Sequence, residues 1–411
     1  MLTSVYTVCD VRFLPRALVL AKSLKDICNI DLVIFIGQDD LSNLPKSIIK
    51  EYDIRTIRDQ QIERFNELSF KYEMDEFLAA VRPVLALKLL EKSKKVIFLD
   101  PDIKVFSKLN NIESELDKYS VLLTPHYNTP EDFDPMLDDA GMMRFGCYNL
   151  GFFGVNNSQE SKDFLSWWYK RLMENCVKES HHGFSVDQRW VSISTCFFEN
   201  IKVSFNLGLN VAFWNLHERK LTKNDGHYYV NEKSPLTFFH FSSFDRNKPE
   251  ILSKRQIKVD MELVHNNKTI QEICKEYAEE LNYITNLFTG IDMDYPYDYF
   301  DNGRYITPLL RKAYAARINE FKDVENPHCA DSAVYRFAEI NRLFSKNDKI
   351  FSVAGYSDLE SNRWKIKLIN IFQKFILLLY GPNFFFNYST RLLIYLSNIR
   401  MQREFWKIPN K

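Results

Sequence analysis

The sequence predicts an α/β fold: a mostly parallel central sheet flanked by helices, with a helical extension behind it. Three observations carry this. Strand-like and helix-like segments alternate over residues 4–99, which is the pattern of a parallel sheet with crossover helices. The apolar run Val96-Ile97-Phe98-Leu99 is short and uninterrupted, as expected of a buried strand covered on both faces. That run ends in Asp100-Pro101-Asp102, and proline cannot donate to a ladder, so the strand stops there.

In chain order, Ser4–Asp10 reads as a first strand ending in a carboxylate, and Leu14–Leu24 as the helix after it. Asp31–Gly37 is a second strand, Pro45–Tyr52 a helix, and Ile54–Ile57 a short strand. Met74–Leu90 reads as one long amphipathic helix carrying Arg82, before the strand Val96–Leu99. Val121–Pro125 is another strand. Behind it, Asn128–Met143 holds Pro130, Pro135 and the acids Glu131, Asp132, Asp134, Asp138 and Asp139, a long segment that suits either a lid or a solvated loop. Tyr148–Asn156 is a strand with Gly151 and Gly154 inside it, which points to close backbone approach. Asp163–Lys178 is a helix whose Trp167 and Trp168 belong to a core. Asp187-Gln188 opens the helix Val191–Phe198, where Asp187 has the position of an N-cap. Leu236–Phe244 is a strand with His240 in its middle, a position usually taken by a satisfied core histidine.

The chemistry begins at Asp100 and Asp102. Residues i and i+2 of an extended segment point the same way, and the carboxyl ends of strands are where open α/β sheets bind ligands. Two carboxylates there suit Mg²⁺ or Mn²⁺ holding a substrate's phosphates; a solvated turn with two chance aspartates is the alternative.

Composition excludes several classes. The 411 residues carry 54 Lys+Arg and 54 Asp+Glu, so no global charge favours nucleic acid. No G-x-G-x-x-G follows the first strand and no P-loop occurs, so dinucleotide and P-loop chemistry are unsupported. The seven cysteines form no Cys-x-x-Cys pair, which favours reduced thiols and a cytoplasmic setting. Asp10 and Arg12 interrupt the N-terminal apolar stretch, so no signal peptide is expected, and with no run of 18 apolar residues no spanning helix is expected either.

Five motifs along residues 1–255 resemble, in family order, those of the GT-A-fold glycosyltransferases, closest to the retaining family 8 type. Arg82 is similar to the arginine of "YxRL", without its tyrosine. Phe98–Asp102 is similar to "YLDxD", Asn149–Phe152 to "NAGV", and Asp187-Gln188 to "PDQ" without the proline. His240-Phe241-Ser242-Ser243, with Lys248-Pro249, is similar to "HFxGxxKPW". The stretches Asn210–Arg219 and Phe238–Asp245 resemble a bacterial polysaccharide-assembly branch of such enzymes. The resemblance implies a GT-A-like nucleotide-diphospho-sugar transferase fold and a Mn²⁺ or Mg²⁺ ion on Asp100, Asp102 and His240. It implies Asp10 and Arg82 on the donor side, Asn149 at the donor sugar, Lys248 at the diphosphate, and Gln188 with Asp187 as the catalytic pair. Lys248 stands eight residues after His240, where the family has six; Arg246 occupies the nearer place and is the other candidate for the diphosphate. Ser243 replaces the motif glycine.

The function implied is transfer of a sugar from a nucleotide diphosphate sugar, expected to be a UDP-sugar, to a glycan or lipid-linked saccharide hydroxyl in bacterial surface polysaccharide synthesis. Retention follows if the acceptor attacks on the leaving-group side; a general base at Asp187 or Asp134 would invert. Two other classes compete. A haloacid-dehalogenase-like phosphatase also runs an apolar strand into Asp-x-Asp and would use Asp100 as nucleophile, but Lys104 stands where those enzymes have Thr or Val. A non-catalytic nucleotide-sugar or glycan-binding protein would bind donor without turnover.

Three regions are expected: a catalytic domain over 1–255, a helical, acceptor-side region over 256–362, and a basic amphipathic segment over 363–411. In the last, nine Lys/Arg face one acid, Glu404. It suits the anionic inner face of the cytoplasmic membrane, a helical cap packed on the domain, or an oligomer contact.

Overall fold

The central sheet of the computed structural model has seven strands in the order β3-β2-β1-β4-β7-β6-β8. They are β1 (Thr3–Cys9), β2 (Leu32–Ile36), β3 (Asp53–Thr56), β4 (Lys95–Leu99), β6 (Val121–Pro125), β7 (Tyr148–Asn156) and β8 (Ile201–Val203). The structure describes residues 3–130, 139–179, 182–255, 266–344, 363–399 and 402–409. The chain divides into two compact units, Met1–Phe65 with Met74–Pro296, and Asn66–Glu73 with Tyr297–Lys411.

The α/β class expected from the sequence is the class found. Strands β3, β2, β1 and β4 are parallel, as are β6 and β8. Strand β7 runs antiparallel to both β4 and β6, so β4 has a parallel neighbour on one side only, and the sheet is mostly parallel as expected. All but the first residue of β4 are buried, and its Phe98 stacks on Phe153 of β7 with centroids 5.3 Å apart. A two-stranded antiparallel ribbon stands beside the sheet, made of β5 (Ile103–Val105) and β9 (Phe238–His240). The expected strand Leu236–Phe244 is therefore three residues of ladder, because Phe241 onward turns away.

The helices form where local chemistry stops and starts them. Helix α1 (Leu14–Cys28) has proline in its first turn, where a missing N–H costs nothing, and ends on Asn29 at φ 54°. The single helix expected over Met74–Leu90 is two, α2 (Met74–Ala80) and α3 (Arg82–Leu90), because Pro83 starts a new helix rather than continuing the old one. Helix α4 (Gln159–Glu174) is capped by Ser158, whose Oγ accepts from Ser161 N at 3.2 Å, and its buried stripe includes Phe164, Trp168 and Leu172. Helix α5 covers only Gln188–Ser192, shorter than the apolar run suggested. Helix α6 (Lys268–Asn286) lies beyond residue 255 yet belongs to the first unit. Its face Ile270, Ile273, Tyr277, Leu281 and Ile284 is buried, and Tyr277 stacks on Phe241 at 3.8 Å. Of the long acidic segment, Asp139 starts a helix, Asp139–Phe145, whereas Glu131, Asp132, Asp134 and Asp138 lie outside the described residues.

The second unit has its own core, including Phe70, Phe300, Leu310, Tyr314, Phe321, Phe337 and Trp406. Arg311, buried in α7 (Pro308–Ala316), donates to the carbonyls of Ser69, Phe70 and Tyr72 at 2.9, 2.7 and 2.7 Å. It also pairs with Asp298 Oδ1 at 2.8 Å. One buried cation thus satisfies three carbonyls of the 66–73 segment and joins it to this unit. Last comes α8 (Arg363–Ser397), bent at Gly381, whose φ of 76° and ψ of 172° are not helical.

Candidate functional site

Two ladders, not sequence spacing, assemble the site. At the end of β4, Asp100 N donates to Gly151 O of β7 at 2.8 Å, and Ile103 N donates back to Asp100 O at 3.1 Å. That tight turn leaves Asp102 at the head of β5. In the antiparallel β5–β9 ribbon His240 is registered opposite Ile103, and Phe241 N donates to Asp102 O at 2.8 Å. A histidine far along the chain is thereby set beside the acid pair. His240 Nε2 lies 3.1 Å from Asp102 Oδ1 and 3.8 Å from Asp100 Oδ2. One ligand atom from each of the three residues falls within 4.8 Å of the others. Two carboxylate oxygens and an imidazole nitrogen could hold a divalent cation.

The imidazole is fixed from behind. Its Nδ1 faces Asn210 Oδ1 at 3.2 Å, while Asn210 Nδ2 donates to Asn149 Oδ1 at 3.0 Å and Thr124 Oγ1 at 3.2 Å. This network puts the proton on Nδ1 and turns Nε2 toward the carboxylates, the outer support a metal-binding histidine needs. Trp214 packs edge-on against the ring at 5.2 Å. Gly151 closes the other side: a Cβ there would stand 2.4 Å from His240 Cε1 and 2.6 Å from Nδ1. Gly151→Ala is therefore expected to destabilise the fold by about 1–3 kcal/mol, the cost of overpacking. Displacing the ring should also weaken the affinity of the cluster for a divalent cation about 10- to 100-fold. Thermal melts with and without Mn²⁺ check both.

Arg82, at the start of α3, ties the acids together. It reaches Asp100 Oδ1 at 2.8 Å, Asp187 Oδ2 at 3.1 Å and Leu150 O at 3.3 Å, and lies over the Phe98 ring at 4.5 Å. Asp187 therefore does not cap α5; no hydrogen bond from that helix reaches its side chain. Burial pushes the Asp187 carboxyl up to about 6, against the pull of Arg82. Burial likewise raises Asp100, against Arg82 and His240. Burial acts on Asp102 in the same sense, but the charge and hydrogen bond of His240 outweigh it and hold that carboxyl below the usual range.

Asp187's neighbour Gln188 accepts from Leu150 N at 3.3 Å and donates to Phe145 O at 2.9 Å. Its amide nitrogen and that of Asn149 both approach His126 Nε2, at 3.5 and 3.4 Å. The His126 Nδ1 faces Cys147 O at 3.3 Å. Burial lowers this imidazole to about 4, so it is neutral at pH 7 and can accept from both amides.

A cavity of about 360 Å³ is lined by Asp10, Arg82, Asp100, Asp102, Asn149, Asp187, Gln188 and His240. Asp10 sits at the end of β1, where it accepts from Phe13 N at 3.0 Å and pairs with Arg12. Arg246 and Lys248 are not among the lining residues; Lys248 is exposed on the turn after Asp245. Arg255 does line the cavity. A neighbouring cavity of about 620 Å³ shares Asn149, Gln188 and Arg255 and adds His126, Phe145, Phe184, Phe213 and Trp214. Sequence reasoning missed His126 and Arg255, and reached Asn210 and Trp214 only as members of the Asn210–Arg219 stretch, with no role given to either. The one usable signal was His126, which follows directly on a strand's carboxyl end.

No family model matches the chain. An uncharacterized protein of Bacillus subtilis (strain 168), YfnF, is 25% identical over 303 residues, covering 70% of this chain and 97% of that protein. Among solved structures, the chain is similar to the glycosyltransferase GlyE of Streptococcus pneumoniae TIGR4. The identity is 13% and the TM-score 0.38, over 73% of this chain and 67% of the other. It is also similar to galactosyltransferase LgtC in complex with donor and acceptor sugar analogs, at 15% identity and a TM-score of 0.37, over 67% of this chain and 99% of that one.

Proposed function

We propose that the chain is a metal-dependent glycosyltransferase. It moves a sugar from a nucleotide diphosphate sugar, of the UDP type, to a hydroxyl of a glycan or lipid-linked saccharide in bacterial surface polysaccharide synthesis. The observation that carries this is the convergence of Asp100, Asp102 and His240 at the carboxyl end of the central sheet, inside a cavity that also holds Arg82, Asn149 and Gln188. A bound Mn²⁺ or Mg²⁺ would neutralise negative charge growing on the departing diphosphate. The residues of the chain do the rest. Asp10 meets the nucleotide and Asn149 the donor sugar, each at the edge of the same cavity. Gln188, held by Leu150 N and Phe145 O, presents a fixed amide to the reacting carbon. Asp187 is engaged by Arg82, which argues against its use as a far-side general base and supports retention. The seven free cysteines support work in the cytoplasm, and the basic C-terminal segment supports placement on the inner face of the cytoplasmic membrane.

The test is incubation with a panel of nucleoside diphosphate sugars and saccharide acceptors, with Mn²⁺, Mg²⁺ or EDTA. Release of nucleoside diphosphate should need the cation and return when it is restored. Undiminished turnover in EDTA would exclude the scheme, free inorganic phosphate would indicate a phosphatase, and donor binding without turnover would indicate a binding protein.

The diphosphate contact has three cationic candidates. Arg255 lines the cavity and Arg246 and Lys248 do not, so Arg255→Ala should raise the donor KM about 10- to 100-fold, the worth of a hydrogen bond to a charged group. Arg246→Ala and Lys248→Ala should change it less. Initial rates over donor concentration decide the order.

A further inference from the structure

We propose that α8 is a membrane wedge, which seats its bent uncharged middle in one leaflet of an anionic phospholipid bilayer and rests its basic flanks on the headgroups. A surface helix of a water-soluble unit normally turns one apolar stripe to a core. Helix α8 does not: Phe372, Phe375, Leu378, Phe384, Phe386 and Ile394 are all exposed, Leu378 by 84% and Phe386 by 69%. An 18-residue window within Lys367–Ser397 has a mean hydropathy of 1.2 and is only 6% buried, so it is not a core helix. An exposed apolar surface of this extent marks an interaction site.

The charges say which partner. Within 363–411 there are nine Lys/Arg and one acid, and none of them falls between Phe375 and Thr390. Lys367 and Lys374 stand on one side of that stretch, Arg391 and Lys407 on the other. Anionic headgroups complement both flanks, whereas a second copy would bring like charges together. Tyr380, Tyr388 and Tyr395 are exposed along the same helix, and aromatic residues of this kind favour the membrane–water boundary.

By length and composition Lys367–Ser397 is long and apolar enough to cross a bilayer, which the sequence reading did not expect. The bend argues for a wedge instead. Gly381 leaves the helix at φ 76° and Pro382 follows, splitting the uncharged stretch into arms Phe375–Tyr380 and Pro382–Thr390. At about 1.5 Å per residue these reach roughly 9 and 13 Å, against a hydrocarbon core of about 30 Å. Basic residues on both flanks favour the same side of the membrane.

This deepens the membrane placement proposed above and is independent of the transfer chemistry, because lipid binding is read without turnover. The full chain is mixed with sealed vesicles of phosphatidylcholine alone, or of equal parts phosphatidylcholine and phosphatidylglycerol, and floated on a density gradient. It should float with the anionic vesicles at least about tenfold better, and each charge removed in Lys367→Gln, Lys374→Gln and Arg391→Gln should cost about fivefold. A Leu378→Ser/Phe384→Ser variant should stay at the bottom while its turnover on a soluble acceptor is unchanged. With the exposed Cys147 and Cys196 replaced by serine, Lys367→Cys and Arg391→Cys should both react with an impermeant maleimide added outside. Failure of the chain to float overturns any lipid contact. Reaction of one cysteine only overturns the wedge in favour of a span. A dimer in light scattering that the Leu378→Ser/Phe384→Ser variant abolishes overturns it in favour of a second copy.

Discussion

Asp102→Asn is expected to reduce cation-dependent turnover by at least about a thousandfold, corresponding to roughly 4 kcal/mol of transition-state stabilisation. The asparagine fills the same space and its backbone still accepts from Phe241 N, so the ribbon should persist. What is lost is the carboxylate 3.1 Å from His240 Nε2, and with it a negative ligand atom of the three-residue cluster. Two measurements separate chemistry from folding. The kcat/KM with saturating Mn²⁺ should collapse, while the Tm without cation changes little. The rise in Tm expected of the unaltered chain on adding Mn²⁺ should be absent. A variant that keeps both its rate and its Mn²⁺-induced rise would remove the cation from the scheme.

Arg82→Met should have the largest effect on stability, about 3–5 kcal/mol, because it leaves Asp100 and Asp187 buried without their shared cation. The loss should depend on pH. Burial already places the Asp187 carboxyl at about 6, above its value in an unfolded chain. A raised carboxyl favours the fold below the unfolded value and loses that advantage as pH rises through the folded one. Without Arg82 the folded value moves higher still. The variant should therefore melt much earlier than the unaltered chain at pH 8 and closer to it at pH 5. Adding Asp187→Asn should recover part of the difference at pH 8, since it removes one of the two stranded charges.

Much of this arrangement could be read from the sequence, for a physical reason. Val96–Leu99 running into Asp100-Pro101-Asp102 is a local signal: strand, stop and ligand position are all encoded within seven residues. The strand-and-helix alternation similarly announced the sheet, because side-chain periodicity reports burial directly. The antiparallel course of β7 was not legible, since direction depends on the connection and not on the strand's own composition. His240 by spacing alone looks like a core residue in an apolar strand; only the likeness of His240–Ser243 to a family motif marked it as a ligand, and the β5–β9 register is what sets it against Asp102. Asp187 read as a helix cap from its place in the chain, and only the approach of Arg82 shows where its carboxylate goes. His126 and the roles of Asn210 and Trp214 escaped for the same reason: each acts through a neighbour brought in from elsewhere.

The β5–β9 ribbon has one more implication. Asp100 ends a strand of the main sheet, while Asp102 and His240 ride on a separate short ladder. Three residues of ladder are a weak zipper by themselves. A cation gripping all three side chains would rivet that zipper to the sheet, so the amide protons of Ile103 and Phe241 should trade with deuterium more slowly once Mn²⁺ is added.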